Sequence, residues 1–301
     1  MNKLLLTGAD GQLGQTFRAN FLGSGLTQKY RLLSVDVQEM DLTKKGSISD
    51  YLDSHMPALI VNCGAYTSVD TAESEVEAAR KINDEAVFYI TRWASENSCR
   101  VIHISTDFVF DGRKREPYSP LDKTEPLGAY GATKLAGERH LLKLLPKQGV
   151  VLRASWLYSE YGHNFVKTMI QLMRRKSELG VVNDQIGSPT SAHSLVRVLF
   201  RLIERCTISG VFHWCDGGII SWYDFAVEIQ RQAHKVGLLA GEIPIKPLTT
   251  KEYPTVAMRP SYSALNRVTT LEKLEIHETN WQEELRAVVL QIKALNEASY
   301  E

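Results

Sequence analysis

Leu4-Leu5-Leu6-Thr7 runs directly into Gly8-x-x-Gly11-x-x-Gly14, an apolar run of strand length joined to a helical pattern by glycines alone. Few folds begin this way. A buried strand, a turn too tight for a side chain and a helix closing back on the strand make a βα unit. Such a unit aims helix N–H groups at whatever sits beyond the strand. The alternation continues through the first 155 residues. Leu32–Val35, Leu59–Cys63, Val101–Ser105 and Val150–Ala154 read as further buried strands. Leu13–Leu22, Ile48–His55, Glu75–Asn97 and Ala129–Leu145 read as helices between them. Continuous apolar strands alternating with helices predict an α/β fold, a doubly wound parallel Rossmann sheet covered on both faces. Functional residues then belong at the carboxyl ends of the strands.

After residue 155 the pattern loosens. Helices near Phe165–Lys176 and Ser191–Cys206 and strands at Leu179–Asn183 and Gly210–Trp214 suggest βα units around 179–214 that rejoin the first domain. The expected division is therefore a dinucleotide-binding domain over 1–155 and a mainly substrate-binding lobe over 156–301. In Trp281–Ala298, the residues Trp281, Leu285, Val288, Ile292 and Leu295 form one stripe, read as core packing of a terminal helix.

With 35 basic and 35 acidic residues the chain has no global field to draw nucleic acid or a membrane surface. Its four cysteines, Cys63, Cys99, Cys206 and Cys215, form no C-x-x-C pair, so neither zinc nor a disulfide framework is expected. The apolar run at the start is too short for a signal peptide or a membrane span. A soluble, cytoplasmic protein is the expectation.

Three groups carry chemistry. Gly8, Gly11 and Gly14 are placed to admit a dinucleotide pyrophosphate. Asp36, ending the second strand, is placed to accept hydrogen bonds from the adenosine ribose, which favours NADH; a surface Asp at a strand end is the plainer alternative. Asp41 and Leu42 would bracket the adenine, and the small residues around Ala65, Tyr66 and Thr67 let backbone run close to the cofactor's middle. At the chemical end, Ser105-Thr106-Asp107 terminates the fourth strand, and Tyr130 and Lys134 share one helix face four residues apart. A carbonyl reduction needs these parts. The Thr106 hydroxyl polarises the carbonyl, Tyr130 donates a proton, and the Lys134 ammonium lowers the phenol's pKa and holds the nicotinamide ribose.

These motifs resemble the dTDP-4-dehydrorhamnose reductases among the extended short-chain dehydrogenases/reductases. The likeness runs through Gly8–Gly14 with Gln12, Val61–Glu73, Ser105–Gly112, Tyr130–Glu138, Arg153–Tyr158, Asn183–Thr190 and Arg259–Leu265. It implies NADPH- or NADH-dependent reduction of the C4 keto group of dTDP-6-deoxy-L-lyxo-4-hexulose, a step in the synthesis of cell-surface polysaccharide. It further implies Tyr130, Lys134 and Thr106 as catalytic. Gly8, Gly11, Gln12, Leu13, Gly14, Asp36, Asp41, Leu42, Ala65, Tyr66, Thr67, Tyr130 and Lys134 would hold the cofactor, and Thr106, Asp107, Trp156 and Arg259 the nucleotide sugar. Trp156 is either a wall for the deoxysugar or core. Arg259 is either a fork for the substrate diphosphate or a tie within the carboxyl-terminal lobe.

Relatives are expected to form dimers around Mg²⁺ held by glutamates. Here His193 stands where one such glutamate belongs, and a hard cation prefers carboxylate oxygen, so no metal is expected and a homodimer is left open. His103, His163 and His213 show no ligand spacing and read as structural. Two other functions keep the same motifs: a reductase or epimerase of another nucleotide-bound 4-keto sugar, and a non-catalytic regulatory subunit like the β subunit of methionine adenosyltransferase.

Overall fold

The computed structural model describes residues 1–298. Six parallel strands form the central sheet: β1 (Asn2–Thr7), β2 (Tyr30–Val35), β3 (Leu59–Asn62), β4 (Arg100–Thr106), β5 (Gly149–Ala154) and β10 (Gly210–Trp214). Their spatial order is β10-β5-β4-β3-β1-β2, so the strand order reverses beside β1 and opens a crevice at the carboxyl ends. Helices α1 (Gln12–Phe21) and α7 (Ala192–Glu204) cover one face, burying Phe17, Leu195 and Leu199 against Leu4, Leu6 and Leu152. Helices α2 (Lys45–His55), α4 (Ala86–Glu96) and α5 (Ala129–Leu144) cover the other, burying Leu52, Ile90 and Leu141 against Leu5, Ile60 and Val151.

The segment read as one helix over Glu75–Asn97 is broken. Helix α3 (Val76–Arg80) passes through a π turn at Lys81–Glu85 into α4. The extra residue in the turn leaves the Asn83 amide bonded to both backbone groups of Tyr66, accepting from its N–H at 2.9 Å and donating to its carbonyl at 3.0 Å. A periodic pattern cannot reveal a π turn, because the apolar stripe resumes after it.

The later residues split between two places. Strand β10 pairs with β5, Gly210 opposite Val150 through Trp214 opposite Ala154. Strand β7 (Leu179–Val182) pairs instead with β12 (Ile245–Leu248) outside the main sheet. Short ladders join β6 (Leu157–Tyr158) to β9 (Thr190–Ser191) and β8 (Ile186–Gly187) to β11 (Ile220–Ser221). Helices α6 (Phe165–Met173), α8 (Trp222–Lys235) and α10 (Trp281–Ala298) enclose a second core around Phe225, Ile229, Leu285 and Val288, while α9 (Val268–Leu274) packs Leu274 into the first. Helix α8 escaped the sequence reading; its start is a Ser221–Asp224 capping box. On α10 the buried stripe takes in Val289 and ends at Ile292, leaving Leu295 44% exposed. Among the described residues no helix is long and apolar enough to cross a membrane, and no three His, Cys, Asp or Glu side chains cluster for a metal. His193 pairs with Glu160 at 2.9 Å.

Candidate active site

A cavity of about 660 Å³ lies along the carboxyl ends of β1 to β5, within the usual range of small-molecule sites, roughly 300–1,000 Å³. Its floor begins at the glycine loop. Gly8 has φ +62°, and a Cβ there would stand 2.7 Å from the Gly64 nitrogen; a Cβ on Gly14 would stand 2.2 Å from the Gly8 carbonyl oxygen. Only glycine satisfies both. Helix α1 therefore starts against the strand with no side-chain cap and no acidic residue in its first turn, whereas α6, α7 and α8 carry Asn164, Ser191 and Ser221 caps. Its uncapped N–H groups and positive dipole end face the cavity, a surface that fits a pyrophosphate.

Gly8, Gly11, Gln12, Leu13 and Gly14 line this end. Asp36, Asp41 and Leu42 line the flank beyond β2, and Ala65 and Thr67 the middle. The Asp36 carboxylate accepts from the N–H of Asp10 and of Val37, both at 2.9 Å, so it fastens the glycine loop to β2 while keeping lone pairs for a ligand. Hydrogen bonds from Thr43 and Lys44 pull Asp41 down to about 2. Tyr66 does not line the cavity; its hydroxyl donates to Glu75 at 2.8 Å.

Thr106, Asp107, Tyr130, Lys134 and Trp156 converge at the other end. Helix α5 is held there by Glu73, whose carboxylate accepts the Ala129 N–H at 2.8 Å. Burial pushes the Tyr130 phenol up to about 12, and the Asp107 carboxylate pushes the same way, against a hydrogen bond from Thr106. This departs from the expected lowering by Lys134. The Lys134 side chain turns back to β4, where Nζ donates to the Ile104 carbonyl at 2.6 Å and lies 3.3 Å from His103 Nε2. Burial lowers Lys134 to about 8. Burial likewise raises Asp107 to about 6, opposed by Ser263 and Thr106. Asp107 Oδ1 accepts from the Thr106 hydroxyl at 3.1 Å, while Oδ2 is buried without a partner. An orphaned carboxylate oxygen in a cavity wall is a place for a donor.

Trp156 packs against the second core and also reaches the cavity. Its indole stacks on Trp222 at 3.6 Å between centroids, yet it also lines the cavity, and its φ of +47° is a strained setting for a bulky residue. Arg259 lies outside the lining and donates to Asp70 at 2.7 Å, and Asp70 also accepts the Ala257 N–H at 3.0 Å. These contacts are a tie between the carboxyl-terminal lobe and the loop after β3.

The sequence reading missed the support beneath the site. Glu138, one turn past Lys134, accepts twice from Arg153 at 2.9 and 2.7 Å and also from Ser105. The period of two on β4 carries a signal for it: His103 and Ser105 share a strand face, as Lys134 and Glu138 share a helix face, so the two pairs meet as rungs.

The chain matches the family described as the RmlD substrate binding domain over residues 1–294. It is 39% identical to the dTDP-4-dehydrorhamnose reductase of Aggregatibacter actinomycetemcomitans across 96% of this chain and 98% of that one. Two crystal structures of dTDP-4-dehydrorhamnose reductases superpose on it. The Clostridium acetobutylicum structure gives a TM-score of 0.89 at 37% identity, covering 97% of this chain and 99% of that one. The Bacillus anthracis structure, in complex with NADP, gives 0.88 at 32% identity, covering 97% and 100%. With its motifs, its sheet and its cavity in agreement with these relatives, the chain belongs to the dTDP-4-dehydrorhamnose reductase family of extended short-chain dehydrogenases/reductases.

Proposed function

We propose that this chain catalyses the NAD(P)H-dependent reduction of the C4 keto group of dTDP-4-dehydro-L-rhamnose to give dTDP-L-rhamnose. The observation that carries the reading is the meeting, in one cavity, of the uncapped α1 terminus with the Thr106, Tyr130 and Lys134 side chains. The cofactor-holding set is the glycine loop with Gln12 and Leu13, Asp36, Asp41, Leu42, Ala65, Thr67 and Lys134. Held there, the reduced nicotinamide would be the source of the hydride.

The protein's own share is positioning and proton supply. Thr106 fixes the carbonyl oxygen by a hydrogen bond that strengthens as negative charge grows on it. Tyr130, held fully protonated at neutral pH by its raised pKa, gives its phenolic proton to that oxygen, which is more basic still as an alkoxide. Asp107 Oδ2 takes a sugar hydroxyl, and Trp156 offers the deoxysugar an apolar wall. The partner is a nucleotide sugar, with no role for nucleic acid or membrane. In this division of labour the first 155 residues serve the cofactor and most of the remainder the sugar.

The test is loss of nicotinamide absorbance when purified protein meets the 4-keto nucleotide with NADH or NADPH. Absence of turnover by folded protein with either cofactor would sink the reading. Faster turnover of a UDP- or GDP-linked 4-keto sugar would move it to the neighbouring substrate class. Tyr130→Phe should lower kcat by about 10²- to 10⁴-fold with little change in KM.

A further inference from the structure

Behind Lys134 runs a chain of polar groups that water does not reach: Thr7, Asn62, His103 and Lys134 are each at most 2% exposed. The Gly64 N–H donates to the Thr7 hydroxyl at 3.1 Å, and that hydroxyl donates to Asn62 Oδ1 at 2.6 Å. Asn62 Nδ2 then faces His103 Nδ1 at 3.0 Å, and His103 Nε2 faces Lys134 Nζ at 3.3 Å. The ring is thus flanked by two nitrogens that ordinarily donate. Burial and the neighbouring Lys134 push the His103 pKa well below its ordinary value, so the ring is neutral, with one donor and one acceptor.

Two proton arrangements satisfy these contacts. In the first, Nδ1 accepts from Asn62, the ring proton sits on Nε2, and Nζ must accept it. An ammonium has no lone pair, so Nζ is then an amine that also donates to the Ile104 carbonyl. In the second, Nζ carries its third proton and donates to Nε2, and the ring proton sits on Nδ1. Asn62 must then turn its oxygen to the ring and its NH₂ to the Thr7 hydroxyl. The ring holds one proton in both states, and the single proton exchanged with solvent is that of Nζ.

We propose that Lys134, His103 and Asn62 change proton arrangement as one unit, making His103 and Asn62 positioning residues that keep the His103–Lys134 and Asn62–His103 contacts matched, donor to acceptor, in either charge state of Lys134. The other groups facing Lys134 are committed elsewhere. Glu138 is bound by Arg153 and Ser105, the Cys63 thiol is pushed up to about 12 by burial, and Tyr130 on the preceding turn stays protonated. The lowered pKa of Lys134 puts the exchange in reach of ordinary conditions. The far end of the chain, Thr7 and Gly64, stands at the cavity wall beside Gly8.

The experiment reads proton positions directly, without substrate. Long-range ¹H–¹⁵N spectra of histidine- and lysine-labelled protein are recorded from about pH 6 to about pH 10, with His103→Asn identifying the His103 signals. The expected result is a ring that moves from the Nδ1–H to the Nε2–H form with the same midpoint as the loss of the Lys134 ammonium. A single tautomer throughout that titration, or a doubly protonated ring, overturns the proposal. Asn62→Asp supplies a group that only accepts and so holds the ring proton on Nδ1. It should raise the Lys134 midpoint by about one pH unit, roughly tenfold in proton affinity. An unchanged midpoint in folded Asn62→Asp protein also overturns it. Neither readout depends on turnover, so a failed sugar assay and a failed proton switch are distinguishable.

Discussion

Replacing Asp107 by Asn should move stability and activity in opposite directions. The wild-type carboxyl is raised from 3.8 to about 6 by burial. A raised folded-state pKa means that stability present below the unfolded value is lost as pH rises through the folded one. A rise of that size corresponds to ~3 kcal/mol lost by the wild type above about pH 7. The amide carries no charge, but its NH₂ occupies the place of the partnerless Oδ2 and finds no acceptor, which costs about 1–2 kcal/mol. The variant should therefore gain about 1–2 kcal/mol at pH 8, or roughly 2–4 °C in Tm for a chain of this size. Activity should fall. If Oδ2 accepts a sugar hydroxyl, losing that charge-assisted bond removes about 1.5–3 kcal/mol, a drop in kcat/KM of roughly 10- to 150-fold. The decline of wild-type kcat/KM below about pH 6 should vanish with it. Thermal unfolding at pH 8 and steady-state rates across the acid range decide the matter. A variant that is less stable at pH 8, or one with unchanged kcat/KM and an intact acid limb, would refute the reasoning.

Three further outcomes are expected. His213, buried between a donor from Arg153 and the Tyr118 carbonyl, is lowered from 6.5 to about 3. Its stabilisation is complete above the unfolded pKa and is lost as pH falls toward the folded one. Denaturant unfolding of His213→Asn should accordingly show a loss between pH 7 and pH 5 that is smaller by about 2 kcal/mol than in the wild type. Arg259→Ala and Asp70→Ala should be non-additive by about 0.5–1 kcal/mol in unfolding, with KM for the nucleotide sugar little changed; full additivity with a raised KM would return Arg259 to the substrate diphosphate. The cavity flank beyond β2 presents the Asp36 and Asp41 carboxylates to a 2′-phosphate, so Asp36→Asn should raise kcat/KM for NADPH relative to NADH by about tenfold; an unaltered ratio would show that Asp36 does not set preference.

Local pattern carried the first half of the fold. Strand β1, the glycine turn and α1 lie within about 20 consecutive residues, so their geometry is written in their own order. The same holds for Tyr130 and Lys134, which a single helix turn brings together. What pattern could not carry was side-chain direction. Four-residue spacing places an ammonium beside a phenol but does not say that Nζ turns to Ile104 and His103, a choice made by β4 across the interface. Arg259 reads as a phosphate fork or as a tie, and only the fold brings Asp70, nearly 190 positions away, to its guanidinium. Helix α8 was lost among aromatics that belong to a second core, where Trp222 and Phe225 serve Trp156 rather than a sheet.

The pairing of β10 with β5 has a consequence for how the molecule is made. A nascent chain that has cleared the ribosome through Ala154 has five strands of the sheet, but β5 stands as an open edge, and Leu152 and Val150 lack the cover of α7. The sixth strand arrives only with Gly210–Trp214, after the chain has left to begin the second core. The two halves are thus interleaved in synthesis, and neither is a transplantable module. A fragment ending at Ala154 should be captured by chaperones or pair edge to edge with its own copies. The two interleaved parts of such a chain would be inherited, and lost, together.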